Sequence, residues 1–214
     1  MSKHEAISRK MQEHYQSVWL EVDAWDFETS AYERQRYQYL FEKIEDRRYC
    51  RVLEIGCGSG CFTSLLTKVA DEVVAVDIAP AAIERARRRL AGTGPGKIEF
   101  RVVDIMQQQP SPADAWDLVV LSETIYSLGW LYPFFDIGFF AAQLFAALKK
   151  GGRLLLANTH GHEKDWLLKP WLIHTYRDLF RNVGFLPASE SIFEGIKDGM
   201  AMRVLVTLFE RPIE

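Results

Sequence analysis

Val52–Gly60 reads VLEIGCGSG, and the fold turns on how this run is divided. Arg51–Ile55 is a short apolar segment of the kind buried in a sheet, and Gly56, Gly58 and Gly60 then alternate with other residues. Glycine is the residue that takes positive φ without a steric penalty, so the alternation marks a tight loop. Cys61–Val69 continues as a helix. A strand, a glycine loop and a helix in that order are the opening unit of a parallel α/β sheet.

The same rhythm repeats downstream. Glu72–Asp77 (EVVAVD) predicts a second strand, followed by a helix from Pro80 to Leu90, with Pro80 suited to a first helical turn. Ile98–Val103 and Trp116–Leu121 predict strands three and four, and MQQQPSPADA (Met106–Ala115) is the loop between them. Phe139–Lys149 predicts a helix closing at Gly151-Gly152, Arg153–Ala157 a fifth strand, and His174–Asn182 a helix ending near Gly184. Ser191–Glu194 and Met202–Phe209 flank Lys197-Asp198-Gly199, a hairpin signal. The chain therefore predicts a doubly wound, mostly parallel, seven-stranded Rossmann-like α/β sheet ending in an antiparallel hairpin.

Upstream lies AWDFETSAYERQRYQYLF (Ala24–Phe41), aromatic and charged. Ser30 and Glu33 have capping-box spacing for a helix starting near Ala31. Tyr37, Leu40, Phe41 and Ile44 form its core-facing stripe, and Tyr32, Arg36 and Tyr39 fall on another face. We read residues 1–214 as one domain, with 1–48 a helical lid and 49–214 the Rossmann-like core.

Bulk properties narrow the class. The chain has 214 residues, 48% hydrophobic and 26% charged, with a formal charge of −3, which gives no general attraction to nucleic acid or anionic membrane. Arg85, Arg87, Arg88 and Arg89 read as one solvated helix face. MSKHEAISRKMQEH at the N-terminus contains no apolar signal core, so a cytoplasmic setting is the expectation. Cys50, Cys57 and Cys61 are an odd set without metal-ligand spacing, so neither disulfide nor metal is expected. Thr124–Leu148 is long and apolar, yet Gly129, Pro133 and Gly138 interrupt it, so a loop and a buried helix are expected rather than a membrane span. Its aromatic run (Trp130, Tyr132, Phe134, Phe135, Phe139, Phe140) suits a core, a pocket wall or a dimer face.

In an open parallel sheet, ligands bind beyond the carboxyl ends of the strands. Those ends deliver Glu54 with Gly56, Cys57, Gly58, Ser59 and Gly60; Asp77; Asp104; Ser122 and Glu123; and Asn158, Thr159 and His160. A dinucleotide loop needs a third glycine where this chain has Cys61, and Glu54 is ill placed beside a pyrophosphate. It is well placed for an ammonium group. Asp77 is positioned to accept ribose hydroxyls and Asp104 to bond an adenine amino group. A cationic adenosine ligand, S-adenosylmethionine, satisfies all three acids.

VLEIGCGSG, VVAVDIAPAAIERAR, VVDI and WDLVVLSETIYSL resemble the successive motifs of class I S-adenosylmethionine-dependent methyltransferases, from about Val52 to the final hairpin. More narrowly, WDFETSAYERQRY, its spacing to the glycine loop and LSETIYSL resemble the rhizobial nodulation (NodS-type) N-methyltransferases. That resemblance implies methylation of an amino group on a sugar, in that family a deacetylated chitooligosaccharide. It also implies a cofactor set of Glu54, Gly56, Cys57, Gly58, Asp77, Ile78, Asp104, Ile105 and Ser122.

Methyl transfer to an amine or hydroxyl favours a base within hydrogen-bond reach. Glu123 and His160 are the candidates. His162, Asp165 and His174 come next as bases, and Tyr126, His162 and His174 are placed to meet a substrate. Trp25, Tyr32 and Arg36 complete the cofactor expectation, as aromatic faces for a sulfonium and a cation for the methionine carboxylate. O-methylation of a sugar or natural product stays open, and a nicotinamide-dependent oxidoreductase is the distant rival. SETIY (Ser122–Tyr126) departs from the motif of DNA amino-methylating enzymes, so the expected partner is a small molecule, with no nucleic acid or membrane, bound by a monomer or homodimer.

Overall fold

The computed structural model describes residues 2–20, 27, 29–92, 97–108, 115–161 and 168–213. The chain divides into two compact units, Met1–Gln109 and Pro110–Glu214.

The first unit begins with two helices, α1 (Lys3–Leu20) and α2 (Ala31–Glu42). Strand β1 (Tyr49–Ile55), helix α3 (Cys61–Leu66), strand β2 (Ala70–Asp77), helix α4 (Pro80–Arg89) and strand β3 (Lys97–Val102) follow. β1 pairs parallel with β2 from Tyr49↔Ala70 to Ile55↔Val76, and β2 pairs parallel with β3 from Glu72↔Lys97 to Asp77↔Val102. Val52, Val73, Ala75 and Ala70 are wholly buried, so these central strands read as continuous apolar runs rather than as alternations. Burying each large aliphatic side chain contributes about 1.5–3 kcal/mol.

Three local expectations are corrected here. Ser30 is the N-cap of α2, yet its side chain makes no capping bond. Glu33 turns to Arg36 instead, Nη2 to Oε2 at 2.8 Å, with both side chains buried. Tyr32 and Arg36 are therefore part of the packing, 4% and 3% exposed, where the helical wheel placed them away from the core stripe. The arginines of α4 are also not a purely solvated face: Arg89 Nε donates to the Ser59 carbonyl at 2.9 Å and Arg87 Nη2 to the Phe100 carbonyl at 2.9 Å.

The second unit comprises β4 (Trp116–Ser122), α5 (Ile125–Leu131), α6 (Phe134–Ala147), β5 (Leu148–Thr159), α7 (Pro170–Asn182), β6 (Leu186–Lys197) and β7 (Met200–Glu210). β4 and β5 are parallel, whereas β5–β7 and β6–β7 are antiparallel. Asp198 and Gly199 both take positive φ, 49° and 74°, the requirement of a two-residue hairpin turn whose twist matches its strands. The strand order is β3-β2-β1-β4-β5-β7-β6, a seven-stranded mixed sheet.

The apolar segment after β4 holds more helix than its sequence suggests. Pro133 ends one helix and caps the next, giving α5 and α6 instead of one helix from Phe139. Gly129 sits inside α5 because a Cβ there would run into the hydroxyl of Tyr176 on α7. Within the aromatic run, Tyr132 and Phe140 are core, while Phe134, Phe135 and Phe139 are exposed. Among the described residues no helix is long and apolar enough to cross a membrane.

Candidate functional site

In the first unit, β1 hands over to a loop whose three glycines, Gly56, Gly58 and Gly60, have φ of 76°, 54° and 78°. The amides of Gly56 and Cys57 both donate to the Val76 carbonyl, at 2.8 and 3.0 Å, folding the loop over the end of β2. Asp77 completes the lock: its Oδ2 accepts from Gly58 N–H at 3.0 Å and its Oδ1 from Ala79 N–H at 2.9 Å. Burial raises the Asp77 carboxyl above its ordinary value, and the backbone donors of Ala79, Gly58 and Ile78 oppose that rise.

Glu54 lies one strand away, 4% exposed, with its Oε2 accepting from Thr63 Oγ1 at 2.5 Å. Burial pushes its carboxyl up to about 8, reinforced by the neighbouring charge of Asp77 and opposed by the Thr63 bond. Glu54 is thus held largely neutral at pH 7, as a buried acid waiting for a cation. Burial also pushes the Cys57 thiol up, with the charges of Asp77 and Glu54 adding to it, so Cys57 is no thiolate nucleophile.

The remaining cofactor candidates are placed as follows. Ile78 is half-buried, and its carbonyl accepts from Gln12 Nε2 of α1 at 3.2 Å. Asp104 Oδ1 accepts from Met106 N–H at 2.9 Å, and Ile105 is buried beside it in sequence. Arg36 lies 4.5 Å from the Tyr37 ring centroid besides its bond to Glu33, and Tyr32 is buried in the same helix. Trp25 and His162 lie outside the described residues, as does Asp165.

Helix α1 carries side chains that the sequence reading did not single out. Trp19, 5% exposed, covers the loop so closely that a Cβ at Gly58 would lie 2.7 Å from its ring. Gln16 Oε1 accepts the Ala81 amide at 2.9 Å at the start of α4. Phe27 packs on Trp19 with ring centroids 5.9 Å apart. The signal for this helix was present as Met11, Tyr15 and Trp19, four residues apart on one face.

In the second unit, Ser122 is half-buried at the end of β4, and its carbonyl accepts from Thr124 Oγ1 at 2.9 Å. Glu123 follows with φ of 54°, a left-handed conformation uncommon for a residue with a Cβ. Its bonds account for the strain. Its amide donates to the Ala157 carbonyl at 2.8 Å, and its Oε1 accepts both the Thr159 amide at 2.9 Å and Thr159 Oγ1 at 3.1 Å. Glu123 therefore clasps β5. Tyr126 is half-buried on α5.

His160 stands just beyond β5, its amide bonded to the Arg203 carbonyl at 2.9 Å. It is 5% exposed, and neither ring nitrogen has a hydrogen-bond partner among the described residues. The His174 ring of α7 lies 5.7 Å away, tilted 48°. Burial lowers the His160 pKa below its ordinary value, and the positive fields of His174 and Arg203 add to the effect. Asn158, two residues earlier, is 2% exposed with Oδ1 likewise unpartnered. An unsatisfied buried polar group costs about 1–3 kcal/mol, so this pair carries a standing destabilisation. Among the described residues no group of three His, Cys, Asp or Glu side chains forms a metal site.

A family model described as Nodulation protein S (NodS) matches residues 13–131, more than half of the chain. Nodulation protein S of Bradyrhizobium diazoefficiens is 39% identical over 108 residues, 50% of this chain and 49% of that protein. Nodulation protein S of Rhizobium tropici is 30% identical over 153 residues, 70% of this chain and 61% of that protein. The chain thus spans about half to three fifths of the length of these curated relatives. The crystal structure of N-methyltransferase NodS from Bradyrhizobium japonicum WM9, in complex with S-adenosyl-L-homocysteine, matches with a TM-score of 0.77 at 22% identity, covering 94% of this chain and 98% of that one. The fold is shared across nearly the whole of both chains.

Proposed function

The chain belongs to the nodulation protein S family, and from that premise we propose that it transfers a methyl group from S-adenosylmethionine to the amino group of a small, sugar-like acceptor. Glu54 carries the reading. A buried acid whose carboxyl is pushed up to about 8, at the end of the strand that enters a triple-glycine loop, is a receptor for an ammonium group. Asp77, Ile78, Asp104 and Ile105 hold the nucleoside end, and Gly56, Cys57 and Gly58 supply close-approaching backbone. Trp19 with Tyr32 and Arg36 close the cofactor side.

S-adenosylmethionine, when bound, supplies a sulfonium methyl for in-line displacement. The chain's own work is positioning and proton management, of which positioning alone can be worth about 7–11 kcal/mol. The acceptor nitrogen must arrive neutral, and the proton it carries after alkylation must leave. His160 suits that task, because a buried imidazole with a lowered pKa is neutral at pH 7 and has a free basic nitrogen. Glu123 acts through Thr159, holding the end of β5 so that His160 is fixed. His174 flanks His160, and Tyr126 and Ser122 lie on the β4 side of the acceptor residues.

Titration calorimetry of S-adenosylhomocysteine into the protein, followed by mass detection of methylated amino sugars, tests the reading. Binding in the micromolar range followed by mass gain on an amine supports it. Absence of heat with S-adenosylhomocysteine alongside saturable binding of NADH would replace it with the nicotinamide class.

A further inference from the structure

The face of the sheet beneath α7 is polar in a selective way. Arg177 of α7 binds Glu190 on β6, and Glu190 also accepts from Thr207 Oγ1 on β7 at 3.1 Å. Glu190 is thus engaged from both sides, and Arg177 Nε faces Asp178 Oδ1 at 2.7 Å. On the same side of β5, alternation places Leu154, Leu156, Asn158 and His160 in one row, opposite Phe209, Thr207, Leu205 and Arg203 in register with, or bonded to, them. Only its last two members end in buried polar atoms with no partner, Asn158 Oδ1 and the two His160 ring nitrogens.

We propose that Asn158 is a specificity-determining residue that, together with His160, takes up both N–H groups of a neutral primary amine. The inference rests on the N-methyl transfer reading and names what selects its acceptor. Residues two apart on a strand are separated by about 6.6 Å. One nitrogen donating two hydrogen bonds of about 2.9 Å sets its two acceptors roughly 4.7 Å apart, closer than the backbone spacing, so the two side chains must lean toward each other to share it. A neutral imidazole offers one acceptor nitrogen and the Asn158 carbonyl oxygen offers another. An –NH2 group fills both and leaves its lone pair directed away, free to attack. A hydroxyl has a single hydrogen and leaves one acceptor unmet, which is a strong basis for rejection in a buried site. After transfer, the N–H facing His160 is the proton that the imidazole removes: the new N–CH3 bond forms as the S–CH3 bond breaks, and the ammonium proton passes to the His160 nitrogen.

The test uses the full chain saturated with S-adenosylhomocysteine and follows the imidazole nitrogens by NMR at pH 8.5. Glucosamine and glucose, which differ in one amino group against one hydroxyl, are the probes. Expected results are a saturable shift of the His160 nitrogens with glucosamine, none with glucose, and loss of the glucosamine response in Asn158→Leu at unchanged S-adenosylhomocysteine affinity. Asn158→Asp, which keeps the volume and an acceptor oxygen, retains the response and covers the case in which the leucine variant misfolds. Equal shifts with both sugars, no shift with either, or a glucosamine response that survives in Asn158→Leu overturns the proposal and leaves the pair as the seat of a structural water. Failure of S-adenosylhomocysteine to bind the wild type sinks the methyltransferase reading instead, and calorimetry reads that outcome separately.

Discussion

Buried polarity is handled in opposite ways in the two units. Around the glycine loop, Asp77 spends both oxygens on Gly58 and Ala79 amides, and Glu54 is bonded to Thr63. At the end of β5, Asn158 and His160 keep Oδ1 and two ring nitrogens without partners among the described residues. The first arrangement has partners within the protein and meets a cation by giving up a proton. The second is incomplete and needs a guest. The contrast teaches which residues build a receptor and which address a substrate that comes and goes.

The sharpest way to break this contrast is at His160. If it is the open, reactive half, His160→Ala lowers kcat by about 10²–10⁴-fold while S-adenosylhomocysteine affinity in calorimetry stays put; equal losses in both would make it another structural residue. Glu54→Gln probes the closed half. Replacing a carboxylate that charges on binding with a neutral amide removes a charge-assisted bond of about 1.5–3 kcal/mol, so affinity falls roughly 10- to 150-fold with folding intact.

The pH dependence of the wild type sharpens the same point. Below about 8 the Glu54 carboxyl holds its proton, and a ligand ammonium displaces that proton. Affinity therefore rises with pH by up to about tenfold per unit until about 8, then flattens. Stability of the free protein runs the other way. The folded pKa exceeds the ordinary 4.5, so this group's contribution is full below 4.5 and is lost as pH rises through about 8. Thermal melts with and without S-adenosylhomocysteine read both signs.

Gly58→Ala brings a Cβ to 2.7 Å from the Trp19 ring at φ of 54°, costing about 1–2 kcal/mol from the backbone alone. A drop in melting temperature partly recovered by Trp19→Ala is the expected pattern, and no recovery would put the whole cost in the backbone. The smallest effect is at Arg203. Removing its charge in Arg203→Gln raises the His160 pKa toward its ordinary value, because that positive field is one of the causes of the depression. The acid limb of the rate profile then moves to higher pH, while the alkaline limb does not.

The glycine loop was legible because it is local: Glu54, Gly56 and Gly58 sit within five residues, and the backbone demand for positive φ names glycine directly. The mostly parallel sheet followed from the alternation of strands and helices and the closing hairpin from the turn at Asp198-Gly199, whereas the order of the strands did not. Three things escaped. Helix α1 falls within the expected helical lid, but the seat of its Trp19 against Gly58 joins residues far apart in sequence. The split into α5 and α6 falls at Pro133, and the place of Gly129 inside α5 depends on Tyr176, a residue far from it in sequence. Asn158 appeared as one of three polar residues at a strand end. Its distinction from Thr159 lies in which face of β5 each occupies, and Glu123 satisfies only the latter.

β6 is the outermost strand on its side of the sheet, and its free rail is a hazard for crowded solutions. Exposed Ile192 and Ile196 on that strand are the kind of residues on which a second chain can nucleate a cross-β stack. Glu190 and Glu194 alternate with them on the same face, and Arg177 and Arg203 hold the two acids in place. Pro187 withholds one amide, and the register shifts between Pro187 and Ser189. Those features act as gatekeepers against edge-to-edge growth, so neutralising both acids turns a guarded margin into a sticky one, first visible as concentration-dependent turbidity.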